Sequence, residues 1–135
     1  MGSGDAFARV ASGLMAWDVH REAGFRIVEA PEIAVVGGTF VAHAPLFPVT
    51  SRCEVTAVID EPDRRGFTYR TLPGHPLDGE ETFLVERQNG GTVFTVSERS
   101  RPASMLTRLP GARWAQSRIN DRYLGGAERI ALNAR

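Results

Sequence analysis

The sequence predicts one α+β domain: a helix pair, about six antiparallel strands, and a long C-terminal helix around which the sheet curves. Three observations carry this. An apolar stripe at helical spacing follows Asp5, two-residue alternation broken by turn residues fills the middle of the chain, and helical spacing returns after Pro102. The 135 residues make a single domain, 1–135, long enough to bury roughly two thirds of the unfolded surface.

Asp5 caps a helix whose stripe is Phe7, Val10, Leu14 and Trp17. A second short helix, Trp17–Ala23, stops at Gly24, the residue type that turns left-handed at no steric cost. A strand at Phe25–Glu29, a connection led by Pro31 and a strand near Thr39–His43 follow. After the Ala44-Pro45 corner comes Phe47–Asp60, with Cys53, Val55, Ala57 and Ile59 on one face and Glu54, Thr56, Val58 and Asp60 on the other. Residues 61–66 read as a charged turn, and Asn89-Gly90 is the strongest two-residue hairpin signal. Beyond Pro102, a short apolar piece, Met105–Leu109, stops at Pro110-Gly111. A helix from Ala112 to about Asn133 then carries Ala115, Ile119, Tyr123, Ala127 and Ile130 on one stripe. Gly125 and Gly126 each cost that helix ~1 kcal/mol against alanine, which is tolerable where backbone must approach the sheet.

Counting from the turns predicts three rows across the sheet: Ile59/Phe67/Val85/Phe94, then Ala57/Tyr69/Phe83/Val96, then Val55/Thr71/Glu81/Glu98. The last is a polar rung on an apolar face, the way small-molecule sites are commonly built. Phe67, Tyr69, Phe83, Val85, Phe94, Val96 and Ile59 would line a hollow for a small, mostly apolar molecule, with Thr71, Glu81, Glu98 and His75 at its polar end. Two carboxylates directly opposite are unfavourable unless a proton or cation is shared. Glu81 and Glu98 would therefore serve as a general acid or base or anchor a ligand's hydroxyl or amine. The bland alternative is a pair at the strand ends, neutralised by solvent, Arg101 or Arg118.

His75, between Gly74 and Pro76, is either a proton shuttle at the mouth or a histidine bonded to its own loop. His20 is a candidate ligand contact, although a cation at a helix C-terminus explains it as well. His43 reads as surface. A buried Tyr69 hydroxyl needs a partner, which a ligand or Glu98 would supply; the alternative is a core tyrosine whose hydroxyl reaches solvent.

The chain has no net charge, but residues 1–98 carry 14 acids against 8 arginines and residues 99–135 carry 8 arginines against 2 acids. Without aromatic stacking platforms in the basic part, the expectation is no nucleic-acid partner; Arg113, Arg118, Arg122 and Arg129 instead face water or an acidic surface of the same domain. Lone Cys53 in an apolar strand reads as an inert buried thiol and fits a reducing compartment. Ile33–Ser51 lacks acids, lysine and arginine over 19 residues, but two glycines, Pro45, Pro48 and His43 interrupt it, so no membrane span is expected and the cytoplasm is the default location. No metal-ligand spacing, phosphate cradle or nucleophile elbow occurs, so no metal and no cofactor are expected.

The element order resembles the helix-grip architecture of the START and Bet v 1-like group. The residues themselves are more specific. Trp17-Asp18-Val19-His20-Arg21-Glu22-Ala23-Gly24, the turn from Asp60-Glu61-Pro62 to Arg65-Gly66-Phe67, Thr71-Leu72-Pro73-Gly74-His75-Pro76, Gly79-Glu80-Glu81-Thr82-Phe83 and Ser100-Arg101-Pro102 resemble the actinobacterial and plant domain of unknown function nineteen-ninety. The resemblance covers nearly the whole chain and carries no assigned catalytic residues. It implies a further N-terminal segment ending in a strand that runs into a Gly-x-Gly turn; with Met1-Gly2-Ser3-Gly4 at the start of the sequence, the expectation is that this strand is missing. An uncovered sheet edge would then favour a homodimer. The competing functional expectation is a non-enzymatic interaction module that uses this edge and the basic C-terminal helix.

Overall fold

The structure, a computed structural model, describes residues 5–46, 49–73, 77–102 and 112–132, with side chains for all of these except 77, 100–102 and 112–118. Among the described residues, three helices and six strands follow one another as α1 (Ala6–Met15), α2 (Asp18–Glu22), β1 (Arg26–Glu29), β2 (Thr39–His43), β3 (Thr50–Asp60), β4 (Arg64–Thr71), β5 (Leu77–Gln88), β6 (Gly91–Pro102) and α3 (Ala112–Leu132). The strands form one antiparallel sheet in chain order, with β1 and β6 at its edges. The domain is thus α+β with an open sheet, as its element order predicts.

Asp5 caps α1 by accepting from Ala8 N at 3.3 Å. Phe7, Val10, Ala11 and Leu14 of α1 are buried. Trp17 breaks α1 from α2 by taking a left-handed backbone, φ 71°. Its fully buried ring stacks on Phe40 at 4.5 Å, while its Nε1 donates to Pro31 O at 2.9 Å. The strain at Trp17 is therefore held by ring packing and by a hydrogen bond to the next connection. Gly24, at φ 105°, ends the helix pair as the sequence predicts.

The helix pair, and not α3 alone, covers the sheet. α1 packs on β4, β5 and β6, while α3 packs on α1, α2 and β6. Ile119, Tyr123 and Ala127 of α3 are buried, and the Tyr123 ring reaches Phe83 at 4.9 Å and stacks on Phe25 at 5.4 Å. Gly126 faces α2 rather than the sheet: a Cβ there would lie 3.0 Å from Glu22 Cβ and 3.1 Å from Val19 O. Arg129 Nε meets Glu22 Oε1 at 3.0 Å, and Arg122 Nη1 donates to Ala23 O at 3.2 Å. Two of the C-terminal arginines thus bind α3 to α2 and are turned onto the domain itself; Arg113 and Arg118 have side chains outside those described.

The register departs from expectation in two places. Between Val55 and Ala57, β3 carries a bulge at Thr56. Val55 therefore meets Tyr69 and Cys53 meets Thr71, while Val58 meets Phe67. Val58 packs against the core and Ile59 turns to the other face, opposite to expectation, because one extra residue inverts every side chain beyond it. Between β4 and β5 the pairing is displaced by two residues, so that Tyr69 faces Glu81 and Phe67 faces Phe83. A two-residue slip keeps the apolar face inward, so alternation alone does not exclude it. The β5–β6 hairpin is as predicted: Asn89 and Gly90 take φ 50° and 78°, and Glu81↔Glu98, Phe83↔Val96 and Val85↔Phe94 are paired.

The expected turn over residues 61–66 is shorter, since β4 starts at Arg64. Gly66 belongs to the sheet, where a Cβ would meet Phe83 O at 2.0 Å. β5 already runs from Leu77, four residues ahead of Glu81. The Met105–Leu109 piece lies outside the described residues.

Candidate functional site

The β5–β6 hairpin places Glu81 opposite Glu98, and β4 places Tyr69 on the other side of Glu81. The row observed is therefore Val55/Tyr69/Glu81/Glu98. Thr71 leaves the predicted rung: it pairs with Cys53, and its Oγ1 accepts from Gly79 N at 3.0 Å. That hydroxyl ties β4 to β5.

Glu81 is half-buried as a residue, but its Oε2 is shut from solvent and has no hydrogen-bond partner. Burial pushes its pKa up from 4.5 to about 8, and the charge of Glu98 pushes the same way; a hydrogen bond from Tyr69 pulls it down. At neutral pH Glu81 is a carboxylic acid, which removes the like-charge conflict with Glu98. Glu98 is half-buried beside it.

The Tyr69 hydroxyl lies 3.1 Å from His20 Nε2. His20 is fully buried, and its Nδ1 has no partner. Seven aromatic rings surround the imidazole, from Phe83 at 4.8 Å and Phe40 and Tyr123 at 5.0 Å out to Phe67 at 6.1 Å, with Trp17, Phe25 and Tyr69 between. Burial, with the nearby Arg21 charge adding to it, lowers the His20 pKa to about 3. A helix-capping cation is thereby excluded: His20 is a neutral imidazole inside the core. Tyr123 joins from α3, and burial, followed by the Glu81 charge, raises its pKa. Burial likewise holds the Cys53 thiol protonated and unreactive.

Of the remaining predicted site residues, Phe67, Phe83 and Val85 are buried and in the central cluster with Tyr69. Trp17 rests on Phe67 at 5.0 Å and His20 on Phe83 at 4.8 Å, so helix-pair rings occupy the space above them. Phe94 and Val96 are half-buried and flank that cluster on β6. Ile59 is on the opposite face from Phe67 and leaves the proposed lining. His75 lies outside the described residues. His43 is half-buried, with Nδ1 3.3 Å from Thr50 Oγ1.

Sequence reasoning missed Tyr123, which appeared only as one position of the α3 stripe. The available signal was a polar-tipped ring on an otherwise apolar helix face. Among the described residues, no group of three or more His, Cys, Asp or Glu side chains comes together as a metal set. No described helix is long and apolar enough to cross a membrane.

Fold and site together define a small α+β domain with a buried histidine–tyrosine contact beside two facing acids on the last two strands of its sheet. The chain belongs to the family described as Domain of unknown function (DUF1990), which matches residues 1–126. It is 46% identical over 78 residues to a UPF0548 protein of Deinococcus radiodurans, a match that spans 57% of this chain and 37% of that protein. The chain thus spans well under half the length of this relative. Its fold is similar to the crystal structure of a hypothetical protein from Helicobacter pylori, with a TM-score of 0.65 at 15% identity, covering 93% of this chain and 80% of that one.

Proposed function

We propose that this chain binds a small, mostly apolar molecule in a helix-grip, START/Bet v 1-like arrangement, with Glu81 as the acid that meets the ligand's polar group. The carrying observation is the Glu81 carboxyl: one oxygen is desolvated and unpartnered, and the group is protonated at neutral pH. The half-covered inner face of β6, with Phe94, Val96 and Glu98 in alternation, supplies an apolar strip that leads to it. Phe67, Phe83 and Val85 form the floor beneath, not a wall open to the ligand. Acid–base chemistry on the bound molecule would use Glu81 and Glu98, with His75 as a shuttle, in a cytoplasmic protein.

Native mass spectrometry of the purified chain tests this reading. A co-purifying small molecule that is lost in Glu81→Gln supports it. Absence of any adduct, together with no NMR shift at Phe94, Val96 or Glu81 from a panel of apolar alcohols and amines, contradicts it.

A second reading, an interaction module that forms a homodimer, is favoured by the exposed Val28, Ile33, Val35 and Val36 in and after edge strand β1. Light scattering at micromolar concentration separates the two readings: a Val28→Ser/Val36→Ser double variant turns a dimer into a monomer only if this surface is the interface.

A further inference from the structure

We infer that His20 is a positioning residue for Glu81: its Nε2–H, held on the Tyr69 hydroxyl oxygen, turns the Tyr69 hydrogen towards the Glu81 carboxyl.

The two nitrogens of the His20 imidazole have different surroundings. Nε2 is 3.1 Å from Tyr69 Oη, and Nδ1 is buried with no partner. The neutral ring carries one hydrogen. On Nδ1 it would be a buried donor with nothing to receive it, whereas a bare Nδ1 is an unused acceptor, the less costly of the two defects. The hydrogen therefore sits on Nε2 and donates to Tyr69 Oη. With that lone pair engaged, the Tyr69 O–H is left to turn towards Glu81, its direct cross-strand partner on β5, or towards Tyr123, the two groups that act on it electrostatically. An ionised carboxylate is the stronger acceptor, so the hydrogen follows the negative charge as Glu81 gives up its proton. Seven rings hold the imidazole in place, so its N–H cannot swing away. The groups facing Glu81 are Glu98 from β6, Tyr69 from β4, Cys53 from β3 and Tyr123 from α3, with Arg21 acting on His20 from α2 itself. Burial and Glu98 oppose ionisation of Glu81, and a hydrogen bond from Tyr69 favours it.

This deepens the ligand-site reading and rests on it only for where the Glu81 proton goes. The hydrogen-bond chain itself is measured in the ligand-free protein, so either idea can fail alone. Long-range 1H–15N NMR of the wild-type chain at pH 7 reports the His20 tautomer, and 13C NMR follows the Glu81 carboxyl through its titration. The inference expects hydrogen on Nε2 and a bare Nδ1. In Tyr69→Phe and in His20→Phe it expects Glu81 to be a weaker acid by about tenfold, a midpoint about one pH unit higher, with the double variant no worse than either single one. His20→Gln, whose amide N–H replaces the donor, restores most of the shift. Hydrogen on Nδ1 in the wild type overturns the inference without any variant. An unchanged Glu81 midpoint in folded Tyr69→Phe overturns it as well.

Discussion

His20 Nε2 and the Tyr69 hydroxyl meet at 3.1 Å across 49 residues of sequence, joining the helix pair to the centre of the sheet by a fully buried polar contact. The contact places a neutral histidine among seven aromatic rings, and its Tyr69 end lies directly opposite Glu81 on the neighbouring strand. The domain's pH behaviour follows from these two ends.

His20 makes the fold acid-sensitive. Its folded pKa of about 3 is below the ordinary 6.5, so the unfolded chain binds the extra proton between these values. The resulting stability is fully present above pH 6.5 and is lost as pH falls towards 3. Urea melts at pH 4 and pH 7 should show wild type losing more stability on acidification than His20→Gln. Truncation to His20→Ala, which leaves a hole among the rings, costs on the order of 3 kcal/mol at pH 7.

Glu81 works in the opposite direction. Its folded pKa, about 8 against an ordinary 4.5, means that the folded state holds a proton the unfolded chain has lost. Stability from this group is present below pH 4.5 and declines as pH rises through 8. Glu81→Gln should therefore be close to wild type at pH 5 and more stable at pH 9, by on the order of 2 kcal/mol. Thermal melts at the two pH values check it.

Adjacent glycines of α3 should respond with opposite signs. A Cβ on Gly125 meets only the flexible Arg129 Nη1 at 3.5 Å, so Gly125→Ala gains helix propensity, up to ~1 kcal/mol. Gly126 lies against α2 backbone at 3.1 Å, so Gly126→Ala forces the helices apart and destabilises. Gly66→Ala is the most damaging of the three, since its Cβ would overlap Phe83 O at 2.0 Å. Denaturation midpoints of the three variants rank them.

Cys53 is 2% exposed, and its thiol is held protonated. A thiol reagent at pH 8 should leave it unmodified in the folded chain and react fully in denaturant. Fast reaction in the native state would show that β3 opens at its bulge.

Local signals made most of the fold legible. Asp5, Gly24 and Asn89-Gly90 each fix a terminus or turn by their own chemistry, and the elements they bound came out in place. The β5–β6 register followed from one two-residue turn, and the Glu81–Glu98 pairing came with it. Illegible were the non-local choices. A bulge at Thr56 has no distinctive residue, and the connection after Leu72 permits two registers with the same face inward. These shifts carried Tyr69 next to Glu81 and moved Thr71 away. His20 ends in the core because α2 turns inward at the left-handed Trp17, a backbone state that its residue type does not advertise.

Carbon-detected NMR titration of the Glu81 side-chain carboxyl tests the central claim most directly. A midpoint near pH 8 that falls towards the ordinary glutamate range in Glu98→Gln is the expected result. A midpoint near 4.5 in the wild-type chain would show Glu81 as an ordinary solvated carboxylate and would remove the acid from the proposed site.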